Sequence, residues 1–282
     1  MVIDPGSRIS YDQLDTATRE LAAVFVQAGV GKGTRVGLIM PNNTRWVLIA
    51  IALTRIGAVL VPLSTLLRAG ELVVQLRVAA VQFLVSVDEF RGHRHLDDVA
   101  ASRSELPALQ QVWSTEQLDA AVAGARAGQI VDAMTQTVTP ADPLVIMFTS
   151  GSSGTPKGVW HSHGSALGAV RSGLAARCID ADSRLYLPMP FFWVGSFGSG
   201  ILSALLAGTT LVTEEIPRPG TCDCWKANGS RCFGGGRTRP RPWPGMPAPS
   251  EPTSRRCGPE ACKPCCRPNS APDRAPGPHS SA

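Results

Sequence analysis

The sequence predicts an α/β domain built on a largely parallel sheet, followed by a tail of different composition. Short apolar runs alternate with helical segments along the first part of the chain, as they do in parallel sheets with flanking helices. From Pro217 to Ala282 there is no Ile, Leu or Val, although this segment has 14 of the 23 prolines and seven of the eight cysteines. Such a segment cannot form an ordinary hydrophobic core, so we predict a domain at residues 1–216 and a disordered tail at 217–282.

The first elements follow from a helix cap and from apolar periodicity. Ser10 is placed as the N-cap of a first helix, and Gly29 is placed to end it. Strands and helices then alternate, because apolar runs of strand length are separated by segments with helical spacing. The predicted elements that follow are a strand at 35–40, a helix at 44–56, a strand at 58–63, a helix at 69–79 and a strand at 81–86.

The middle of the chain gives a weaker signal. Between Asp88 and Thr139 we predict only a connector, with one amphipathic helix at residues 115–127. A buried strand is predicted at 144–147, and alternation resumes after residue 163. The later predicted elements are a helix at 164–178, a strand at 184–190, a glycine-containing helix at 194–208 and a strand at 209–213.

Charge divides at the same boundary as composition. The tail has 11 Lys and Arg residues against 4 Asp and Glu, whereas the first 216 residues have 16 against 18. The domain is therefore almost neutral, and we expect no nucleic-acid partner for it. No run reaches the roughly 18 apolar residues of a membrane span. Because the N-terminus lacks a secretory pattern and the domain has one cysteine, Cys178, we expect a cytoplasmic location.

A run rich in hydroxyls and glycines, TSGSSGTPKGV, follows the strand at 144–147. Glycines allow backbone N–H groups to approach an anion, hydroxyls add donors, and a lysine supplies positive charge to a polyphosphate. The run is not a Walker A loop, because Pro156 precedes Lys157 and Gly158 follows it. The composition of this run, taken alone, is as typical of an ordinary surface turn as of a phosphate-binding loop.

This run and the order of elements resemble the adenylate-forming superfamily, which includes acyl-CoA synthetases, luciferases and peptide-synthetase adenylation domains. Its phosphate loop is typically Thr-Ser-Gly-Thr/Ser-Thr/Ser-Gly-x-Pro-Lys-Gly, and the resemblance covers roughly residues 8–216. The family activates a carboxylic acid with ATP and Mg²⁺ as an acyl-adenylate, and then transfers the acyl group to a thiol, usually that of coenzyme A. The resemblance implies that the phosphates are bound by Thr149, Ser150, Gly151, Ser152, Ser153, Gly154, Thr155, Lys157 and Gly158.

A second segment, LPMPFFWVGSFG, resembles the part of the family that lines the acyl pocket. This resemblance implies an apolar acid-binding surface at Phe192, Trp193 and Gly195, and by descent a fatty or other apolar carboxylic acid as substrate. Many relatives have a histidine at the position of Trp193, so the identity of the acid stays open. The alternative is that Phe191, Phe192 and Trp193 are packed core residues.

His161 and His163 form an H-x-H pair shortly after the predicted phosphate loop. On one strand, both side chains would lie on the same face and could bind a metal ion. No third ligand has a recognisable spacing, so we favour packing or a role at a helix entry, and we predict no metal site.

The family also has a Tyr/Phe-Gly-x-Thr-Glu motif, a ribose-binding aspartate and a C-terminal domain with a catalytic lysine, none of which we find in the chain. We therefore expect an N-terminal fragment that binds nucleotide weakly and is inactive alone. For the tail we favour out-of-frame translation of a G+C-rich gene. The alternative is a non-catalytic protein whose basic tail binds zinc or nucleic acid through irregularly spaced cysteines.

Overall fold

The computed structural model describes residues 1–149, 156–216 and 231–232. It confirms a mixed α/β fold with mostly parallel sheets and flanking helices. The predicted tail lies outside the described residues except for residues 231–232. None of the helices in the described ranges combines the length and the apolar character needed to cross a membrane.

The first part of the chain folds largely as predicted. Ser10 caps the first helix in a capping box, because its Oγ accepts a hydrogen bond from the Gln13 N–H and the Gln13 side chain accepts one from the Ser10 N–H. Two short strands at the N-terminus were not predicted. The elements are β1 Val2–Ile3, β2 Arg8–Ile9, α1 Tyr11–Gln27, β3 Arg35–Ile39, α2 Thr44–Arg55, β4 Val59–Pro62, α3 Ala69–Val78 and β5 Phe83–Ser86.

The predicted connector contains more structure than its sequence signal indicated. Its elements are α4 His95–Ala101, a 3₁₀ turn at Arg103–Glu105, β6 Gln111–Ser114, α5 Thr115–Ala120 and α6 Ala125–Thr137. The single helix predicted at 115–127 is therefore wrong. Ala121 and Gly124 both have extended backbone, which ends α5 and begins α6.

The remaining elements are β7 Pro143–Thr149, β8 Lys157–Ser162, α7 His163–Leu174, β9 Arg184–Tyr186, the π-helical segment Gly195–Leu202, α8 Ser203–Ala207, β10 Thr210–Val212 and β11 Arg231–Cys232. The strand predicted at 184–190 is shorter than expected and ends before two prolines, Pro188 and Pro190. The helix predicted at 194–208 begins as a π-helix that includes three glycines and becomes α-helical only at Ser203.

The described strands form two sheets. One has the order β6-β5-β3-β4-β7-β8 and is parallel except for the β7–β8 pair, and the other has the order β11-β9-β10-β1-β2 and is parallel except for β1–β2. Successive residues of β4 alternate between two core clusters, with Leu60 in the first and Val59 and Val61 in the second. The first cluster also includes α1 and α2 and residues of both sheets, so it joins the two sheets through a shared core.

Candidate functional site

The two ends of the predicted phosphate loop lie next to each other. Thr149 is the last residue of β7 and Lys157 is the first residue of β8, and the two are register partners in the antiparallel pair. Directly opposite residues in such a pair place their side chains on the same face of the sheet. Both residues are exposed. The other predicted loop residues, Ser150, Gly151, Ser152, Ser153, Gly154 and Thr155, lie outside the described residues.

The strand before the loop is held firmly in the sheet. Leu144, Val145, Ile146 and Met147 are all buried, and β7 pairs in parallel with β4 through Val145. Thr149 therefore lies at the carboxyl end of a parallel strand, which is where open α/β sheets bind their ligands. The predicted buried strand at 144–147 is confirmed, and it continues to Thr149.

Gly158 follows Lys157 and has a packing role. A Cβ atom at this position would lie 2.8 Å from Cγ2 of Ile146, which is closer than real Cβ contacts allow. A glycine at this position allows β8 to lie against β7 immediately beside the lysine.

His161 and His163 do not share a strand. His161 is in β8, whereas His163 is the first residue of α7, after a capping box formed by Ser162 and Ser165. The His163 N–H donates to the backbone oxygen of Asp142 at 3.0 Å, and burial lowers the pKa of the His163 imidazole. His163 thus lies at a helix entry, one of the two roles favoured from the sequence, which were packing and helix entry. Within the described residues, no group of three or more His, Cys, Asp or Glu side chains could hold a metal ion.

The aromatic residues of the predicted acid-binding segment have different environments. Phe191 is fully buried, and its ring packs edge-on against Trp46 with centroids 5.2 Å apart. Trp193 is 52% exposed, and its ring lies 6.1 Å from that of the partly buried Phe192. Gly195 begins the π-helical segment. Phe191 is therefore a core residue, while Trp193 presents an apolar surface to solvent.

Asn42 contacts this segment, and the sequence reasoning missed it. Its side-chain amide donates to the backbone oxygen of Met189 and accepts from the N–H of Phe191, both at 2.8 Å. The only local signal was the turn-forming run Pro41-Asn42-Asn43, which does not indicate a partner far along the chain.

The ends of the predicted phosphate loop and the predicted acid-binding segment are on the same side of the six-stranded sheet. Alternation along β7 places Thr149 on the face of Val145 and Met147, both of which belong to the first core cluster. Phe191 and Phe197 belong to that cluster too. In addition, β8 continues directly into α7, which packs against the π-helical segment.

Comparison with known proteins identifies this arrangement. The family model described as AMP-binding enzyme matches residues 1–232, which extends beyond the predicted domain end at residue 216. The chain is 29% identical over 227 residues to the medium-chain fatty-acid–CoA ligase of Escherichia coli K12, with 79% of this chain and 40% of that protein covered. It is also 29% identical over 220 residues to the long-chain-fatty-acid–CoA ligase FadD13 of Mycobacterium tuberculosis, with coverage of 75% and 41%.

Among solved structures, the N-terminal domain of FACL13 from Mycobacterium tuberculosis matches with a TM-score of 0.65 and 25% identity, covering 80% of this chain and 55% of that one. The chain thus spans about 40% of the length of these curated relatives. The family match covers well over half of the chain, and the fold agrees with it. The chain belongs to the AMP-binding enzyme family.

Proposed function

We propose that this chain provides the phosphate-binding loop and the acid-binding surface of an AMP-forming ligase that joins a fatty or similar apolar carboxylic acid to coenzyme A. The observation that carries the proposal is the pairing of Thr149 with Lys157, both exposed, where the buried strand β7 ends beside the more exposed strand β8. This pairing holds a hydroxyl donor and an ammonium group at the two ends of the run that resembles the family's phosphate loop.

These residues suit a polyphosphate chemically. The Lys157 ammonium carries full positive charge, and the Thr149 hydroxyl can donate a hydrogen bond to a phosphate oxygen. A bound ATP would supply the activated phosphate for attack by a carboxylate, with Mg²⁺ sharing the phosphate charge. The role that we assign to the chain is to hold the terminal phosphates while negative charge builds on the leaving pyrophosphate.

The acid-binding part of the proposal depends on the aromatic surface formed by the partly buried Phe192 and the exposed Trp193. The two curated relatives described above are named as fatty-acid–CoA ligases, which supports an apolar acid as substrate and coenzyme A as acceptor. Burial of an alkyl chain against an exposed indole is favourable because it removes apolar area from water. A cytoplasmic location stays a prediction.

Calorimetric titration of the purified chain with pyrophosphate and with MgATP tests the phosphate site. We expect Lys157→Ala to weaken binding of both by about tenfold or more, and Lys157→Arg to retain much of it. Arg126→Ala is a matched control, because it also removes an exposed positive charge. Arg126 lies in α6 and not in the β7–β8 pair, so pyrophosphate affinity should stay as in the wild type. Equal affinities for Lys157→Ala and the wild type would overturn the proposal.

The zinc- or nucleic-acid-binding alternative involves tail cysteines of which only Cys232 belongs to the described residues. It stays a prediction, and nothing in the described geometry favours it over the ligase.

A further inference from the structure

The side chain of Asn42 bridges two backbone groups that lie about 150 residues away in the sequence. Its Nδ2 donates to the carbonyl oxygen of Met189 at 2.8 Å, and its Oδ1 accepts from the N–H of Phe191 at 2.8 Å. Asn42 is only 7% exposed. These two bonds define the orientation of the amide, because the opposite orientation would place donor against donor and acceptor against acceptor.

This contact imitates the hydrogen bonding of a neighbouring β-strand. A residue of a parallel partner strand pairs with the C=O of one residue and the N–H of the residue two positions later, and Asn42 satisfies the same two groups of Met189 and Phe191. Pro190 lies between them, has no N–H and fixes its own φ angle. The bridge therefore specifies the backbone path of residues 189–191, where no described strand does so.

Asn42 lies in the turn between β3 and α2, directly before the N-cap of that helix. This N-cap is Asn43, whose Oδ1 accepts from the Trp46 N–H at 2.9 Å. On the other side of the bridge, the Phe191 ring packs against Trp46 of the same helix. The segment 189–191 is thus tied to the β3–α2 turn by a polar bridge and to α2 by an aromatic contact.

The bridged segment leads directly to the exposed acid-binding surface. The Trp193 N–H donates to the backbone oxygen of Pro190 at 3.1 Å, and the Trp193 oxygen accepts from the Phe197 N–H at 2.9 Å at the start of the π-helical segment. Any change in the backbone at 189–191 is therefore transmitted to Trp193 through a single turn. The side chain of Trp193 is 52% exposed, and its ring packs edge-on against that of Phe192 with centroids 6.1 Å apart.

From these contacts we infer that Asn42 is a positioning residue for acid binding, which orients Phe192 and Trp193 through the backbone of Met189 and Phe191. This inference rests on the proposed function, since it assigns the position of the acid-binding surface to a residue of the β3–α2 turn. Removal of the amide leaves the Met189 carbonyl and the Phe191 N–H without their partner, although Phe191 can remain packed on Trp46.

The test compares Asn42→Ala and Asn42→Asp with Asn43→Ala in the full chain. Asn43→Ala is the matched control, because it removes a helix cap one residue away and does not touch residues 189–191. The measurements are the dissociation constants of dodecanoic acid and of pyrophosphate, and the ¹⁹F resonance of Trp193 in 5-fluorotryptophan-labelled protein, assigned with Trp193→Phe.

We expect Asn42→Ala to weaken dodecanoic acid binding about tenfold or more, to shift the Trp193 resonance and to leave pyrophosphate binding unchanged. Asn42→Asp keeps the acceptor for Phe191 but places a carboxylate oxygen against the Met189 carbonyl, so its acid affinity should fall at least as far as that of Asn42→Ala. Asn43→Ala should lower thermal stability while acid affinity and the Trp193 resonance stay as in the wild type.

Equal effects of Asn42→Ala and Asn43→Ala on acid affinity would overturn the positioning role, as would an unchanged acid affinity in Asn42→Ala. A wild-type chain that binds pyrophosphate through Lys157 but not dodecanoic acid would also overturn it, while leaving the phosphate site intact. A wild-type chain that binds neither would overturn the proposed function itself.

Discussion

Gly158 and Ile146 are in such close contact that a side chain at position 158 would collide with the neighbouring strand. A Cβ atom added to Gly158 would lie 2.8 Å from Cγ2 of Ile146 and 3.6 Å from the ring of Phe148. Gly158 is the register partner of Phe148, so Ile146 is its diagonal neighbour across the pair. Because Lys157 immediately precedes Gly158, the position of the lysine depends on this close approach.

Gly158→Ala should therefore destabilise the chain and displace the start of β8. Overpacking of this kind typically costs about 1–3 kcal/mol, which urea denaturation followed by circular dichroism can measure. The control is Gly168→Ala in α7, where an added Cβ would meet no atom within 4 Å. That change should stabilise the chain slightly, by up to about 1 kcal/mol, because alanine is the better helix former. Similar free energies of unfolding for the two variants would contradict the packing role of Gly158.

The parts of the fold that could be predicted are those with strong local signals. The first helix begins at Ser10, where the capping box forms within four residues, and β4 is a continuous apolar run buried on both faces. The connector was mispredicted because its elements are short and are stabilised by contacts with distant parts of the chain. For example, β6 is stabilised by Trp113, whose ring stacks on Phe83 at 5.4 Å, and that partner is not visible in the local sequence.

The same distinction applies to the candidate site. The buried strand that leads to Thr149 could be predicted from its apolar run at 144–147. The pairing of Thr149 with Lys157 could not, because the sequence around Lys157 has the composition of a turn rather than of a strand. The different environments of Phe191 and Trp193 could not, since adjacent aromatic residues have similar propensities and the outcome depends on Trp46. The bridge from Asn42 to residues 189–191 is a tertiary contact between two turns, and a periodic pattern of apolar residues does not predict such a contact.

Asp4 should contribute strongly to stability through the N-terminus of α2. Its carboxylate accepts hydrogen bonds from the N–H and hydroxyl of Thr44, both at 2.8 Å, and from the N–H groups of Gly6 and Ser7. We expect Asp4→Ala to lower the free energy of unfolding by about 2–3 kcal/mol, because these donors lose a charged acceptor at a helix N-terminus.

Asp12→Ala is the control for this prediction. Asp12 lies in the first turn of α1 but is exposed, so the expected loss is below about 0.5 kcal/mol in the same urea denaturation experiment. A loss for Asp4→Ala no greater than that for Asp12→Ala would exclude a buried anchoring role for the carboxylate.

Tyr11 should make stability sensitive to alkaline pH. Its hydroxyl donates to the backbone oxygens of Ala204 at 2.9 Å and Thr209 at 2.6 Å, and burial raises its pKa to about 12. In the unfolded chain the phenol ionises near pH 10. The contribution of Tyr11 to the free energy of unfolding is therefore fully present below about pH 10. It is lost as the pH rises from 10 through 12.

Tyr11→Phe gives the comparison for this pH dependence. At pH 7 the variant should be about 1–2 kcal/mol less stable than the wild type, because two carbonyls lose their donor. Above pH 10 the difference between the two proteins should shrink. Urea denaturation at pH 7, 10 and 11.5 measures this difference, and a constant value across that range would show that the Tyr11 hydroxyl does not titrate differently in the folded chain.

Truncation of Phe191 should lower stability, whereas truncation of Trp193, two residues away, should weaken acid binding. Phe191→Ala removes a fully buried ring in contact with Trp46, so its free energy of unfolding should fall by about 3–5 kcal/mol. Trp193→Ala removes a ring that is 52% exposed, so stability should change by less than about 0.5 kcal/mol while dodecanoic acid binding weakens. Circular dichroism during urea denaturation measures the first effect and calorimetry the second. If Trp193→Ala instead destabilised the chain as much as Phe191→Ala, the indole would be a core residue, and the acid-binding surface would have to lie elsewhere on the π-helical segment.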